Sequence, residues 1–240
     1  MSIISRNLPT STTLVIAFTG FNHRLSISID DFFEASGLSE ASRIVISDRT
    51  RRLCLGGIQP DFNSFQALWL YLENLIREIS PQKLILTGNS GGAYSAILFG
   101  HLLKAQQVIC FAPYSYLDRN IVRKLNDPAS ESMDRVLSRL EALPKDIHQY
   151  FDLANVLSIW NGTTDYFIHV SKYHKWDYKR ALYLKRAPHV KIIAHPYDKH
   201  SLVCALSREG KLRQCFSSPW KRYTTIYHDI KQLVISLRRQ

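Results

Sequence analysis

Short apolar runs alternate along the chain with longer amphipathic stretches. The runs at residues 14–18, 43–47, 83–87, 107–112, 156–160 and 190–194 are mostly near-continuous rather than strictly alternating. That pattern is expected of parallel strands covered on both faces. Between them, Phe65, Leu68, Trp69, Leu72, Leu75, Ile76 and Ile79 recur at helical spacing, with Asp61 or Asn63 as the candidate cap and Pro81 just beyond the end. Tyr223, Ile226, Tyr227, Ile230, Leu233, Val234 and Leu237 repeat the spacing near the C-terminus. One apolar stripe per helix is what docking on a sheet requires. The alternation predicts an α/β fold: a doubly wound, mostly parallel sheet of about six strands.

One interval departs from this rhythm. Segment 113–152 contains no clear strand, but Met133, Val136, Leu137, Leu140 and Leu143 mark an amphipathic helix. An insertion of this length predicts a small helical cap over a site. No repeat or linker divides the chain, so residues 1–240 are expected to form a single domain carrying that cap.

Composition narrows the class. The 240 residues are 45% hydrophobic and 21% charged, which excludes a disordered or low-complexity chain. No apolar run approaches the roughly 18 residues of a membrane span. The first run, at 14–18, is too short for a secretory leader. The four cysteines, Cys54, Cys110, Cys204 and Cys215, lack CxxC or metal spacing, and Cys110 and Cys204 lie in apolar stretches. A reduced, cytoplasmic protein without metal or cofactor is the expectation. Charge is uneven: residues 1–170 sum to −1 and residues 171–240 to +12. That asymmetry fits an anionic partner, or equally a solvated basic face.

The most informative segment runs from Lys83 through Leu-Ile-Leu-Thr to Gly88-Asn89-Ser90-Gly91-Gly92 and on into small and apolar residues. It reads as a buried strand, Gly-x-Ser-x-Gly, then a helix. A sharp strand-to-helix turn strains the serine backbone and brings its neighbours at ±2 close together, where only small residues fit. A phosphate loop would also be Gly-rich, but the Walker Lys-Ser/Thr pair and the GxGxxG spacing are both missing. The segment resembles the nucleophile elbow of the α/β-hydrolase superfamily. The resemblance implies a serine hydrolase whose partners follow in the order Ser, Asp or Glu, His.

On that resemblance the acid is Asp165, in the turn Gly162-Thr-Thr-Asp165 after the run at 156–160, with Asp118 in reserve. The base comes from the loop after the run at 190–194, where His195 and His200 compete. His200, farther into the loop and before an apolar run, better resembles the catalytic histidine. Ser90 would attack an ester, thioester or amide carbonyl while His200 takes its proton and Asp165 steadies the imidazole. The oxyanion would be met by the backbone N–H of Gly91 and of Phe21, with Asn22 as the alternative donor. Asn22, Tyr114 and Tyr116 are the expected substrate contacts. The first strand lies close to the N-terminus, so the pair of antiparallel strands that opens many superfamily members is expected to be missing.

Two other functions use the same residues or the same scaffold. An acyltransferase would deliver the acyl group to an acceptor other than water. A non-catalytic binding module would work through the basic C-terminal third instead. Tyr173, Trp176, Tyr178 and Tyr183 are interleaved with basic residues, but no nucleic-acid module accompanies them. Helix aromatics packed on the sheet are the expectation there. The substrate is expected to be a small or acyl molecule, with Arg119, Arg123, Lys124, Arg135 and Arg139 available to an anionic group.

Overall fold

Five of the six apolar runs assemble into one sheet. The computed structural model describes residues 4–7, 11–127 and 130–217. The expected amphipathic stripe from Tyr223 to Leu237 lies outside them. In chain order the elements are β1 (Ile4–Asn7), β2 (Thr13–Phe18), α1 (Ile29–Ser36), β3 (Ser42–Ile46), α2 (Phe65–Ile79), β4 (Lys83–Asn89), α3 (Gly91–Leu102) and β5 (Gln107–Phe111). Then come α4 (Arg119–Lys124), α5 (Glu131–Glu141), a 3-10 turn (Lys145–Tyr150), α6 (Leu153–Val156) and β6 (Asp165–Ser171). The last described elements are α7 (Lys175–Leu184), β7 (Val190–His195), α8 (Leu202–Arg208) and α9 (Leu212–Phe216).

The sheet order is β1-β3-β2-β4-β5-β6-β7. The six strands from β2 to β7 run parallel. The short β1 adds an antiparallel edge beside β3, which the apolar pattern did not predict.

Strand periodicity divides the core between the two faces of the sheet. Leu14, Ile16, Phe18, Leu84, Leu86, Val108, Tyr166 and Ile168 pack with α2, α3, α5, α6 and α7. Their neighbours Val15, Ala17, Ile85, Ile109, Phe111 and Phe167 pack with α1, α8 and α9. Alternation of side chains, combined with apolar residues at both parities, is what permits helices on both faces. α3 lies deepest, buried continuously from Gly91 to Gly100.

Three details differ from the pattern-based expectation. α2 is capped by Ser64, whose hydroxyl accepts from the Ala67 N–H, rather than by Asp61 or Asn63. Cys110 is buried as expected, but Cys204 is only half-buried. The third difference matters more. The run at 156–160 is not a strand: Val156 ends α6, Ile159 is 79% exposed, and the sheet strand is β6, beginning at Asp165. Segment 113–152 carries α4, α5 and the 3-10 turn, and the α5 stripe of Met133, Val136, Leu137 and Leu140 joins the main core. Within α7 and the turn before it, Tyr178 and Tyr183 pack on the core while Tyr173 is 64% exposed, so not every aromatic of that segment faces the sheet. No helix among the described residues is long and apolar enough to cross a membrane.

Candidate active site

Ser90 sits between β4 and α3 with φ 53° and ψ −122°. This is a left-handed-side conformation that a non-glycine residue adopts only when its surroundings force it. The forcing comes from close packing on both sides. A Cβ on Gly88 would lie 2.4 Å from the Gly92 carbonyl oxygen, and one on Gly92 would lie 2.1 Å from the Phe18 carbonyl oxygen. The Gly-x-Ser-x-Gly spacing is therefore a steric requirement of a turn wedged against the end of β2. The Ser90 N–H donates to the Phe111 carbonyl at 2.9 Å, tying the turn to β5.

The serine hydroxyl meets His200: Nε2 lies 2.9 Å from Oγ. On the other side of the ring, Nδ1 lies 2.7 Å from Oδ2 of Asp177. The Asp177 side chain is 1% exposed, whereas that of His200 is 44% exposed. The three side chains form one hydrogen-bonded line from a buried carboxylate to a hydroxyl that is within reach of solvent. His174 caps α7, its Nδ1 accepting from the Asp177 N–H at 3.3 Å and lying 3.0 Å from Oδ2. Asp177 occupies the first turn of that helix, where backbone N–H groups favour a carboxylate. Arg180 stands 3.9 Å from Oδ1 of Asp177 and is itself held by Asp127 at 2.8 and 2.9 Å.

The structure corrects the expected acid. Asp165 opens β6 at the N-terminal edge of the sheet, where it pairs with His189 at 3.4 Å. Ser90 follows the opposite, C-terminal edge, so about 20 Å of strand separates the two levels. Asp118, the reserve, caps α4 by accepting from the N–H of Asn120 and Ile121. His195 ends β7, and its Nε2 lies 2.9 Å from Nδ1 of His169, whereas the Ser90 hydroxyl is met by His200. Asp177 was missed because the strand before it was placed too early. Once the strand is drawn at 165–171, Asp177 is the first carboxylate after it.

Of the other expected site residues, Gly91 and Phe21 are brought together. A Cβ on Gly91 would lie 2.9 Å from the Phe21 ring. Gly91 opens α3, so its N–H has no acceptor within the helix. In the loop after β2, the Thr19 and Gly20 N–H groups are committed to the Ile46 and Arg24 carbonyls, which leaves Phe21 as the next donor in the turn. Asn22 is exposed, and its side-chain oxygen accepts from the Arg24 N–H at 3.2 Å, closing the loop. Tyr114 lies beside this loop, its ring centroid 6.4 Å from that of Phe21, under the Arg180 guanidinium. Tyr116 does not join them. It is buried, donates to Asp127 at 2.7 Å and packs edge-on against Tyr183.

A recess of about 10 Å³, room for about one water molecule, adjoins the elbow, with Gly20, Phe21, Leu53, Gly91, Gly92 and Ser95 in its wall. For metal binding, His174, Asp177 and His200 bring possible ligand atoms within 4.8 Å of one another. Two of those groups are already engaged in the line to Ser90.

Comparison with solved structures places the architecture. The chain is similar to the capsule O-acetyltransferase of Neisseria meningitidis serogroup A, at TM-score 0.59 and 17% identity over 86% of this chain and 87% of that one. It is similar to Est1E from Butyrivibrio proteoclasticus, at TM-score 0.58 and 13% identity over 88% and 90%. A lipase-esterase related protein from Clostridium acetobutylicum matches at TM-score 0.51 and 14% identity over 86% and 96%. No protein-family model and no curated protein sequence matches the chain. The shared architecture is the α/β-hydrolase fold.

Proposed function

We propose that this chain, built on the α/β-hydrolase fold, is a serine acyl hydrolase that works through an acyl-enzyme on Ser90. One observation carries the reading: the line of hydrogen bonds from Asp177 through His200 to Ser90, at 2.7 and 2.9 Å. In that arrangement His200 Nε2 takes the hydroxyl proton as Oγ attacks a carbonyl carbon, then returns it to the leaving group. Asp177 accepts from Nδ1–H, holds the ring in the tautomer whose Nε2 is bare, and stabilises the imidazolium. The Gly91 and Phe21 N–H groups receive the negative charge that develops on the carbonyl oxygen, each contributing about 2.7–4 kcal/mol. Strain at Ser90 also supports the reading, because a binding module gains nothing from holding a serine in that conformation.

Tyr114, from the start of segment 113–152, lies beside the Phe21 ring and contacts the substrate in this reading. Water resolves the acyl-enzyme in a hydrolase, and a hydroxyl acceptor does so in a transferase; the same three side chains serve both.

The test is fluorophosphonate labelling with mass-spectrometric mapping, alongside p-nitrophenyl acetate turnover with and without added alcohols or sugars. Labelling at Ser90 that is lost in Ser90→Ala and collapses in His200→Ala and Asp177→Asn supports the acyl-enzyme. Folded wild-type protein that neither labels nor turns over the ester overturns it. Acceleration by a particular hydroxyl compound, with its ester as product, identifies a transferase.

A further inference from the structure

A second group of chemically capable side chains lies on the other face of the sheet, apart from Ser90. His169 is the fifth residue of β6, His195 ends β7, and Cys215 sits in α9. One ligand atom from each comes within 4.8 Å of the other two. His169 is 1% exposed, and its Nε2 is buried without a hydrogen-bond partner among the described residues. A buried imidazole nitrogen left this way costs about 1–3 kcal/mol, and the other ring nitrogen, Nδ1, lies 2.9 Å from His195 Nε2. The Cys215 thiol is also buried, with a 4.0 Å contact to the Lys211 carbonyl.

We infer that His169, His195 and Cys215 form a binding site for a zinc-class divalent cation that clips α9 to the ends of β6 and β7. Two imidazoles and a thiolate are the donor set of borderline-soft metals, not of calcium or magnesium. Tetrahedral zinc, with bonds of ~2.0–2.3 Å, draws its ligand atoms to within about 4 Å of each other, so a cluster already inside 4.8 Å needs only a small closure. Both histidines are pushed below the ordinary value by burial, His195 to about 4. They ligate as neutral imidazoles, and the hydrogen bond between His169 Nδ1 and His195 Nε2 opens as the cation binds, leaving each ring one proton on the nitrogen that does not ligate.

Burial pushes the Cys215 thiol up to about 12. Binding therefore breaks the S–H bond, forms an S–metal bond and releases one proton to water. No electron is transferred.

The placement links this site to the loop that carries His200. The His195 carbonyl accepts from the Lys172 N–H at 2.8 Å, and the Ser171 hydroxyl donates to the Lys199 carbonyl at 2.6 Å. A cation fixing β6, β7 and α9 would stiffen the platform from which that loop departs.

The experiment strips the purified full chain with a chelator and titrates it with Co²⁺, then with Zn²⁺ in competition. Expected are one equivalent bound and a near-ultraviolet thiolate-to-cobalt band. The band disappears in Cys215→Ser and persists in His174→Gln. Zinc affinity falls about 100-fold or more in His195→Gln, and about tenfold for each pH unit of acidification as the thiol proton competes. Because a variant can fail to fold, the wild-type chain supplies an independent readout: zinc protects Cys215 from iodoacetamide, mapped by mass spectrometry, while half-exposed Cys204 stays reactive. Absence of stoichiometric binding, a band unaffected by Cys215→Ser, loss of the band in His174→Gln, or alkylation of Cys215 indifferent to zinc overturns the inference.

Discussion

Two histidine pairs lie within a few residues of each other at the ends of β6 and β7, and their chemistry diverges. His200 is half in water and bonded to a buried carboxylate, with its far nitrogen on a serine hydroxyl. His195, five residues earlier, is bonded to another histidine, His169, and burial holds its proton affinity down to about 4. The imidazole ring is the same in both. What differs is whether an anion stands ready to stabilise the charged form and whether solvent can reach it. A base needs a partner that welcomes the proton's charge. A buried neutral pair offers lone pairs instead, which suits a metal and not a proton.

The sharpest way to break this comparison is to exchange which histidine is removed. His200→Ala is expected to lower ester turnover by about 10⁴–10⁶-fold, while His195→Ala changes it less than about tenfold. Equal losses, measured as kcat/KM on the folded proteins, would erase the distinction. The carboxylates provide the next test. Asp177→Asn is expected to reduce kcat about 10⁴-fold by favouring the wrong imidazole tautomer, whereas Asp165→Asn leaves it unchanged. A large loss in Asp165→Asn would contradict the placement of Asp165 at the far edge of the sheet.

The buried pair should show itself in stability instead of rate. An unfolded histidine protonates near pH 6.5, while His195 in the fold protonates near 4 and His169 is also lowered. Between those values the unfolded chain binds more protons, so stability is complete above about pH 6.5 and is lost as pH falls toward 4. The loss is on the order of 2–3 kcal/mol, read by urea unfolding at pH 7 and pH 5 with chelator present. His195→Gln should flatten that slope, and an unchanged slope would remove His195 from its cause. The smallest effect separates two tyrosines. Tyr116→Phe deprives Asp127 of a buried donor and is expected to cost about 1–3 kcal/mol of stability with little change in turnover. Tyr114→Ala, beside the Phe21 ring, should alter KM for small esters instead. The opposite pattern would exchange their roles.

The legibility of this protein varied with the range of the forces involved. The elbow is partly a local problem: Gly88 is needed because its Cβ would collide with the Gly92 carbonyl four residues on, while Gly92 is needed because its Cβ would collide with the Phe18 carbonyl at the end of β2, yet both glycines are written in five consecutive residues. α2 was legible because its stripe repeats over fifteen residues. The run at 156–160 misled because apolar residues at a short helix end and in an exposed turn look like a strand when neighbours are unknown. That single displacement moved the expected acid from Asp177 to Asp165, since the acid was sought after the strand. Tyr116 was misplaced for a similar reason: adjacency to β5 says nothing about which way a ring turns.

By itself, the sequence determined the parallel sheet with helices on both faces, the strained serine turn, and the loop that offers His195 and His200. Each follows from periodicity or from sterics within a few residues, and such terms are additive along a chain. Only the tertiary structure decided which carboxylate meets the histidine, which of the two imidazoles faces Ser90, and that a cysteine in α9 stands beside a histidine pair on the sheet. Those choices depend on strand register and helix docking, where residues 20 to 110 positions apart are brought within 3 Å. No local pattern encodes such a distance, because it is set by how the whole core packs.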